Sequence, residues 1–122
     1  MKRNMDLLRM ILMKLESIET PIPVEALELY VYPRAMIEDH VHIMEQANLI
    51  ERTWLAHPDK KLLQMTWHGH EFLELARDQR RWIRAKDKVG TAGVTFDVFS
   101  KILSNLMEDD FSQVLARASH AV

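Results

Sequence analysis

Residues 49–72 read LIERTWLAHPDKKLLQMTWHGHEF. Two short runs, 49–56 and 61–65, have strand character, with bulky apolar residues interleaved with polar ones. His57-Pro58-Asp59-Lys60 separates them. Pro58 suits the second position of a type I turn, because its ring presets φ there. Thr66 follows the second run, and its hydroxyl can cap the backbone N–H groups that open a helix. The stretch therefore predicts a strand, a tight turn, a second strand and a helix start.

Immediately upstream, residues 33–47 carry a helical pattern. Pro33 suits the first helical position. Met36, Ile37, Val41, Ile43, Met44 and Ala47 share one face, while Arg34, Glu38, Asp39, His42, Glu45 and Gln46 share the other. Asn48 stands where the helix should end, at a position that favours a left-handed backbone. Helix, two-stranded wing, helix is the order of a winged-helix domain. Further out, Met5, Leu7, Leu8, Ile11, Leu12, Leu15 and Ile18 predict a first helix with Asn4 as its cap, closed off by Pro21 and Pro23. Residues 24–32, VEALELYVY, fit either a short helix or a short extended piece.

After Thr66 the pattern predicts one helix running to about Lys88. Its inner face holds Phe72, Leu75, Ala76, Trp82 and Ile83, with Gln79 among them. Gly90-Thr91-Ala92-Gly93 is a break. Thr95 can cap another helix bearing Phe96, Phe99, Ile102, Leu103 and Leu106. A last amphipathic piece follows Asp110, with Phe111, Val114, Leu115 and Ala118 at helical spacing. The expected fold is mainly α with a small β-hairpin. Residues 1–89 form the winged-helix domain. Residues 90–122 form a C-terminal helical extension, which packs on that domain or makes a dimer contact.

The bulk properties narrow the function classes. A chain of 122 residues is one domain's worth, able to bury about two-thirds of its unfolded surface. Its 48% apolar and 28% charged residues are ordinary for a soluble globular protein. There is no cysteine, which excludes disulfides, thiolate nucleophiles and thiolate zinc sites and suits a reducing cytosol. Asp6, Arg9 and Lys14 interrupt the apolar residues of MKRNMDLLRMILMKL, so neither a signal core nor a spanning segment is expected there. The cytoplasm is the expected compartment. The formal net charge is −2, whereas nucleic-acid binders usually carry a basic excess, because phosphate neutralisation dominates their affinity.

The segments MKRNMDLLRMIL, IEDHVHIMEQANLIE (including His40), LLQMTWHGHEFLELARDQRRWIRAKDKV and GVTFDVFSKIL occur in that order. In this the chain resembles a family of small bacterial, phage and prophage proteins, a domain of unknown function with a winged-helix-like fold. The resemblance covers about residues 1–107. It implies the fold and a bacterial or phage origin, and brings no catalytic or binding residues. Asn48 stands where the family usually has glycine, a neutral exchange at a left-handed position. The wing is shorter than in many relatives, and the tail beyond about residue 108 lies outside the shared pattern.

Charge distribution carries the rest. The outer face of the 33–47 helix, which holds the place of a recognition helix, sets Arg34 against Glu38, Asp39 and Glu45, with His42 neutral. Carboxylates there oppose the phosphate field, and a solvated helix face is the plainer reading. Cations gather later, at Arg77, Arg80, Arg81, Arg84, Lys86 and Lys88, against Asp78 and Asp87. On one ideal helix, Arg77, Arg81, Arg84 and Lys88 fall within about 60°. They would form a ridge for phosphates or an acidic partner, or simply a solvent face. Lys60 and Lys61 on the wing repeat that signal more weakly.

No metal is expected. His40 and His42 point to different sides of one helix, and His40 reads as a core histidine with one hydrogen-bond partner. His68, His70 and Glu74 do not complete a ligand set. No phosphate loop, nucleophile elbow or thiol exists, so no cofactor, small-molecule substrate or enzymatic activity is expected. Eight methionines, with Met10 and Met13 off the first helix's main apolar face, suggest a second contact surface. Two partner classes follow. One is a protein, either a second copy in a homodimer or a host complex inhibited by a phage-encoded modulator. The other is DNA, bound by a transcriptional regulator.

Overall fold

The computed structural model describes residues 2–54, 60–90 and 93–120. The chain is mainly helical with a small antiparallel hairpin. Its elements are α1 (Met5–Ser17), a 3-10 helix (Val24–Ala26), α2 (Arg34–Gln46), β1 (Ile50–Thr53), β2 (Leu62–Met65), α3 (Trp67–Ala76), α4 (Gln79–Val89) and α5 (Phe96–His120). They fall into two compact units, Met1–Leu73 and Glu74–Val122. The division lies inside α3, and α4 is grouped with α5. The physical reason is visible in the second unit: Trp82 of α4 meets Phe99 of α5 edge-on, with ring centroids 5.1 Å apart.

In the first unit α1 packs against α2 and β2. Leu7, Leu8, Ile11, Leu12 and Leu15 of α1 are buried, as are Ile37, Val41 and Met44 of α2. Asn4 caps α1, its Oδ1 accepting from the Leu7 N–H at 3.1 Å. His40 is fully buried on α2 and has two partners where one was expected. Its Nε2 accepts from the Asn4 N–H at 2.8 Å, and its Nδ1 lies 2.8 Å from the Met36 carbonyl. A backbone N–H can only donate and a carbonyl can only accept, so the ring carries its proton on Nδ1. His40 thus ties the start of α1 to the first turn of α2.

The end of α2 is a Schellman motif. Asn48 adopts φ 61°, its N–H bonds the Glu45 carbonyl at 3.1 Å, and the Leu49 N–H reaches back to Met44 at 2.9 Å. Leu49 and Met44 are both fully buried, the apolar contact that accompanies this cap. Pro33 sits one position earlier than expected, as the N-cap with extended ψ of 146°.

β1 and β2 pair antiparallel, with Ile50 opposite Met65 and Thr53 opposite Leu62. The predicted turn residues 57–59 lie outside the described residues. On the other side of β2, Ile22 forms an isolated bridge to Leu63. Residues 24–32 are resolved in favour of the short helix: one 3-10 turn, then a β-turn closed by the Tyr32 N–H on the Leu29 carbonyl at 3.0 Å. The order helix, bridge, helical turn, helix and hairpin is compatible with a winged helix.

Thr66 caps α3 as predicted, accepting from the Gly69 N–H at 3.0 Å while donating to the Asn48 carbonyl. Gly69 is required here by proximity. A Cβ at that position would collide with the Leu49 carbonyl oxygen and lie 2.7 Å from Met65 Cγ.

The second unit corrects two expectations. The helix expected from Thr66 to about Lys88 is two helices, because Asp78 caps a new start, its Oδ1 accepting from the Arg81 N–H at 3.0 Å. The restart resets the helical phase. Ile83 and Gln79, assigned to an inner face, are exposed, while Leu73 and Ala85 are buried. Thr95 does cap α5, but α5 continues without a break through Asp110. Phe99, Leu103 and Leu106 are buried on it, whereas Phe111, Val114 and Leu115 face solvent.

Candidate interaction surfaces

The outer face of α2 keeps its acidic character. Glu38 and Asp39 are exposed and make no hydrogen bond or ion pair with any described residue. His42 is exposed beside Gln46, 3.4 Å away. Glu45 is engaged by Arg52 of β1 at 2.8 Å, a contact of charges whose angle misses a good hydrogen bond. Arg34, the one cation on this face, is occupied. Its guanidinium donates to the Val24 and Glu25 carbonyls, each at 2.9 Å, and so cross-links the 3-10 helix to the start of α2. The Val24 carbonyl also accepts from the Leu27 N–H at 3.1 Å, whereas the Glu25 carbonyl would otherwise rely on water. These bonds fix the guanidinium in place while it keeps its charge, and the face adds two carboxylates, Glu38 and Asp39, with no ion pair among the described residues.

On the hairpin, Lys61 places its Nζ 5.5 Å from the centroid of the exposed Trp54 ring, within cation–π range. The pair follows from register, since Trp54 and Lys61 extend the Thr53–Leu62 pairing. Lys60 is exposed. Across the strands, Gln64 donates to Glu51 at 2.7 Å. Trp67, at the first position of α3, is 80% exposed.

The cations of the predicted ridge differ in what they touch. Arg77 lies in the break between helices and pairs with Glu74 at 2.8 Å. Arg81 is largely covered, and both Arg81 and Arg84 converge on Asp110 of α5, at 3.5 and 3.0 Å. The Arg81 Nη1 also reaches the Leu75 carbonyl at 3.4 Å, across the break. Asp78 is used as a cap, and the Arg81 backbone N–H holds its carboxyl below the usual aspartate range. Arg80 and Lys88 are exposed and hold no ion pair among the described residues, and Lys86 is exposed beside them. The arrangement staples α4 to α5 more than it offers a cationic track.

One surface was not singled out from sequence. Tyr30 and Val31 form the corners of the 29–32 turn and are 90% and 81% exposed. The tyrosine hydroxyl donates to Glu28 Oε2 at 2.6 Å, and that carboxylate raises its pKa. Reading 24–32 as a single ambiguous run hid this turn. Among the described residues no group of three or more His, Cys, Asp or Glu could hold a metal ion. No helix among them is long and apolar enough to cross a membrane.

A mainly helical chain with a small antiparallel hairpin is the class that these features define. Residues 2–95 match the model of a family described as hypothetical protein (DUF2513), and the chain belongs to that family. The match ends at residue 95, short of most of the GVTFDVFSKIL segment in the resemblance. No curated protein and no solved structure matches the chain.

Proposed function

We propose that this chain is a non-enzymatic, winged-helix binding module of bacterial or phage origin that acts in the cytoplasm by contacting another protein. A phage-encoded inhibitor of a host complex is the form of that role we favour. The observation that carries the reading is the outer face of α2. In a DNA reader this helix would enter the major groove, and its side chains would face the phosphates on either side. Here its free charges are Glu38 and Asp39, and its arginine is bound to backbone carbonyls. Two carboxylates in that place repel phosphate and suit a protein surface.

DNA binding by a transcriptional regulator is the second reading, favoured by the wing, where Lys61 lies over the exposed Trp54 and Lys60 is exposed. Titration of labelled duplex DNA at low and then moderate salt separates the two. Under the protein-binding reading no complex forms even at low salt. Tight binding that falls steeply with salt, and is lost in Lys60→Glu/Lys61→Glu, would overturn it. Self-association is a further form of protein contact, favoured by Phe111, Val114 and Leu115 on the outer side of α5. Light scattering across concentration reads it directly.

A further inference from the structure

Tyr30 and Val31 are the most exposed large apolar residues among those described. They occupy the two corners of a tight turn, positions that glycine, proline, asparagine, aspartate or serine ordinarily fill for backbone reasons. Nothing in the turn needs an aromatic or a β-branched side chain. A local choice that works against burial and turn chemistry together marks a place where function, rather than folding, sets the residue.

The turn is also braced. Glu28 fixes the tyrosine hydroxyl at 2.6 Å. Behind it, the Arg34 guanidinium locks the 3-10 helix to α2 through two carbonyls. Tyr30 and Arg34 border one open groove of about 300 Å³ that runs to Ile37 of α2. Glu38 stands one helical turn beyond Arg34. A braced aromatic presents contact area with little conformational freedom left to lose, which is what the central anchor of an interface needs. Glu28 lines the same groove and Glu38 follows its residue Ile37, and these carboxylates set the sign of the partner.

Resting on the protein-binding reading above, we infer that the Tyr30–Val31 turn is the anchor of the interface. Its partner is a protein surface with an apolar pocket for the turn, rimmed by Lys or Arg facing Glu38 and Asp39. The acidic rim steers and selects, while the apolar tip supplies most of the affinity.

The test is a displayed random-peptide library selected on the immobilised 122-residue chain. The Tyr30→Ser/Val31→Ser double variant, checked for retained helix by circular dichroism, serves as counter-target. Enriched peptides are expected to combine Lys or Arg with apolar residues and to bind the double variant roughly tenfold more weakly. Glu38→Gln/Asp39→Asn should weaken them about threefold and flatten their salt dependence. Peptides without a basic excess, peptides that bind the double variant as well as the parent, or no enrichment over the counter-target would each overturn this inference. The first two outcomes leave the protein-binding reading standing. Salt-sensitive binding of duplex DNA that is lost in Lys60→Glu/Lys61→Glu overturns both.

Discussion

Helices α2 and α4 both carry charged outer faces, and the two faces are put to different uses. On α4 two of the cations are consumed, while Arg80 and Lys88 hold no ion pair among the described residues. Arg81 and Arg84 converge on Asp110, and Asp78 caps the helix it precedes. On α2 the one cation is held in place by two carbonyls, and the carboxylates Glu38 and Asp39 have no ion pair among the described residues. A count of charges ranks α4 as the more promising surface. The partners of those charges level the ranking, because a paired side chain must give up its partner before it can bind anything else, and each helix keeps exposed charges without an ion pair among the described residues. The availability of a charge is a property of its neighbours and not of its own helix.

That contrast can be broken by substitution, each effect read as a shift in urea unfolding followed by circular dichroism. The largest loss is expected away from both faces, at the junction that supports α2's end. Gly69→Ala forces a methyl group against the Leu49 carbonyl and should cost about 2–3 kcal/mol. Next comes the α4 network. Asp110→Ala leaves the largely covered Arg81 without its counter-charge and should cost about 1–2 kcal/mol. Equality with a surface substitution there would mean that the ion pairs are incidental.

Asp78→Ala removes the cap that restarts the helix and should cost about 1 kcal/mol. The cap also has a pH signature. The folded-state pKa of Asp78 is lowered, so its contribution is present above the ordinary aspartate value of 3.8 and is lost as pH falls below it through the folded value. Asp78→Asn, which keeps the acceptor oxygen without the charge, should flatten that part of the acid limb. An unchanged acid limb would show that the carboxylate is not coupled to folding. The smallest effect belongs to α2. Glu38→Gln/Asp39→Asn should change stability by less than about 0.5 kcal/mol, since neither group holds anything in place. A larger loss would make this face structural and remove the contrast with α4.

Much of the fold was legible because its signals are local. Thr66 over the Gly69 N–H, Asn4 over Leu7 and Thr95 over Val98 are caps, each set by one side chain and the three residues after it, and Asn48 at φ 61° closes α2 on the residues just before it. The apolar faces of α1 and α2 were legible for the same reason, since periodicity is a property of one helix. The break at Asp78 was local too, but the apolar residues on either side of it imitate one continuous face. The candidate sites fared less evenly. Glu38, Asp39 and His42 are exposed where the wheel placed them. Arg81 is not, because its partner Asp110 lies 29 residues away on another helix. Tyr30 and Val31 escaped notice because apolar residues in a short run give no sign of whether they point inward.

The sequence alone determined which segments are helix and strand, where most of them start and stop, and that its net charge is slightly negative. Those facts follow from backbone preferences and periodicity, which act over a few residues. Only the tertiary structure decided which charges are neutralised, that His40 joins α1 to α2, that α4 is grouped with α5, and that Tyr30 and Val31 stand uncovered. These depend on pairings between residues distant in the chain, and local preference carries no information about them.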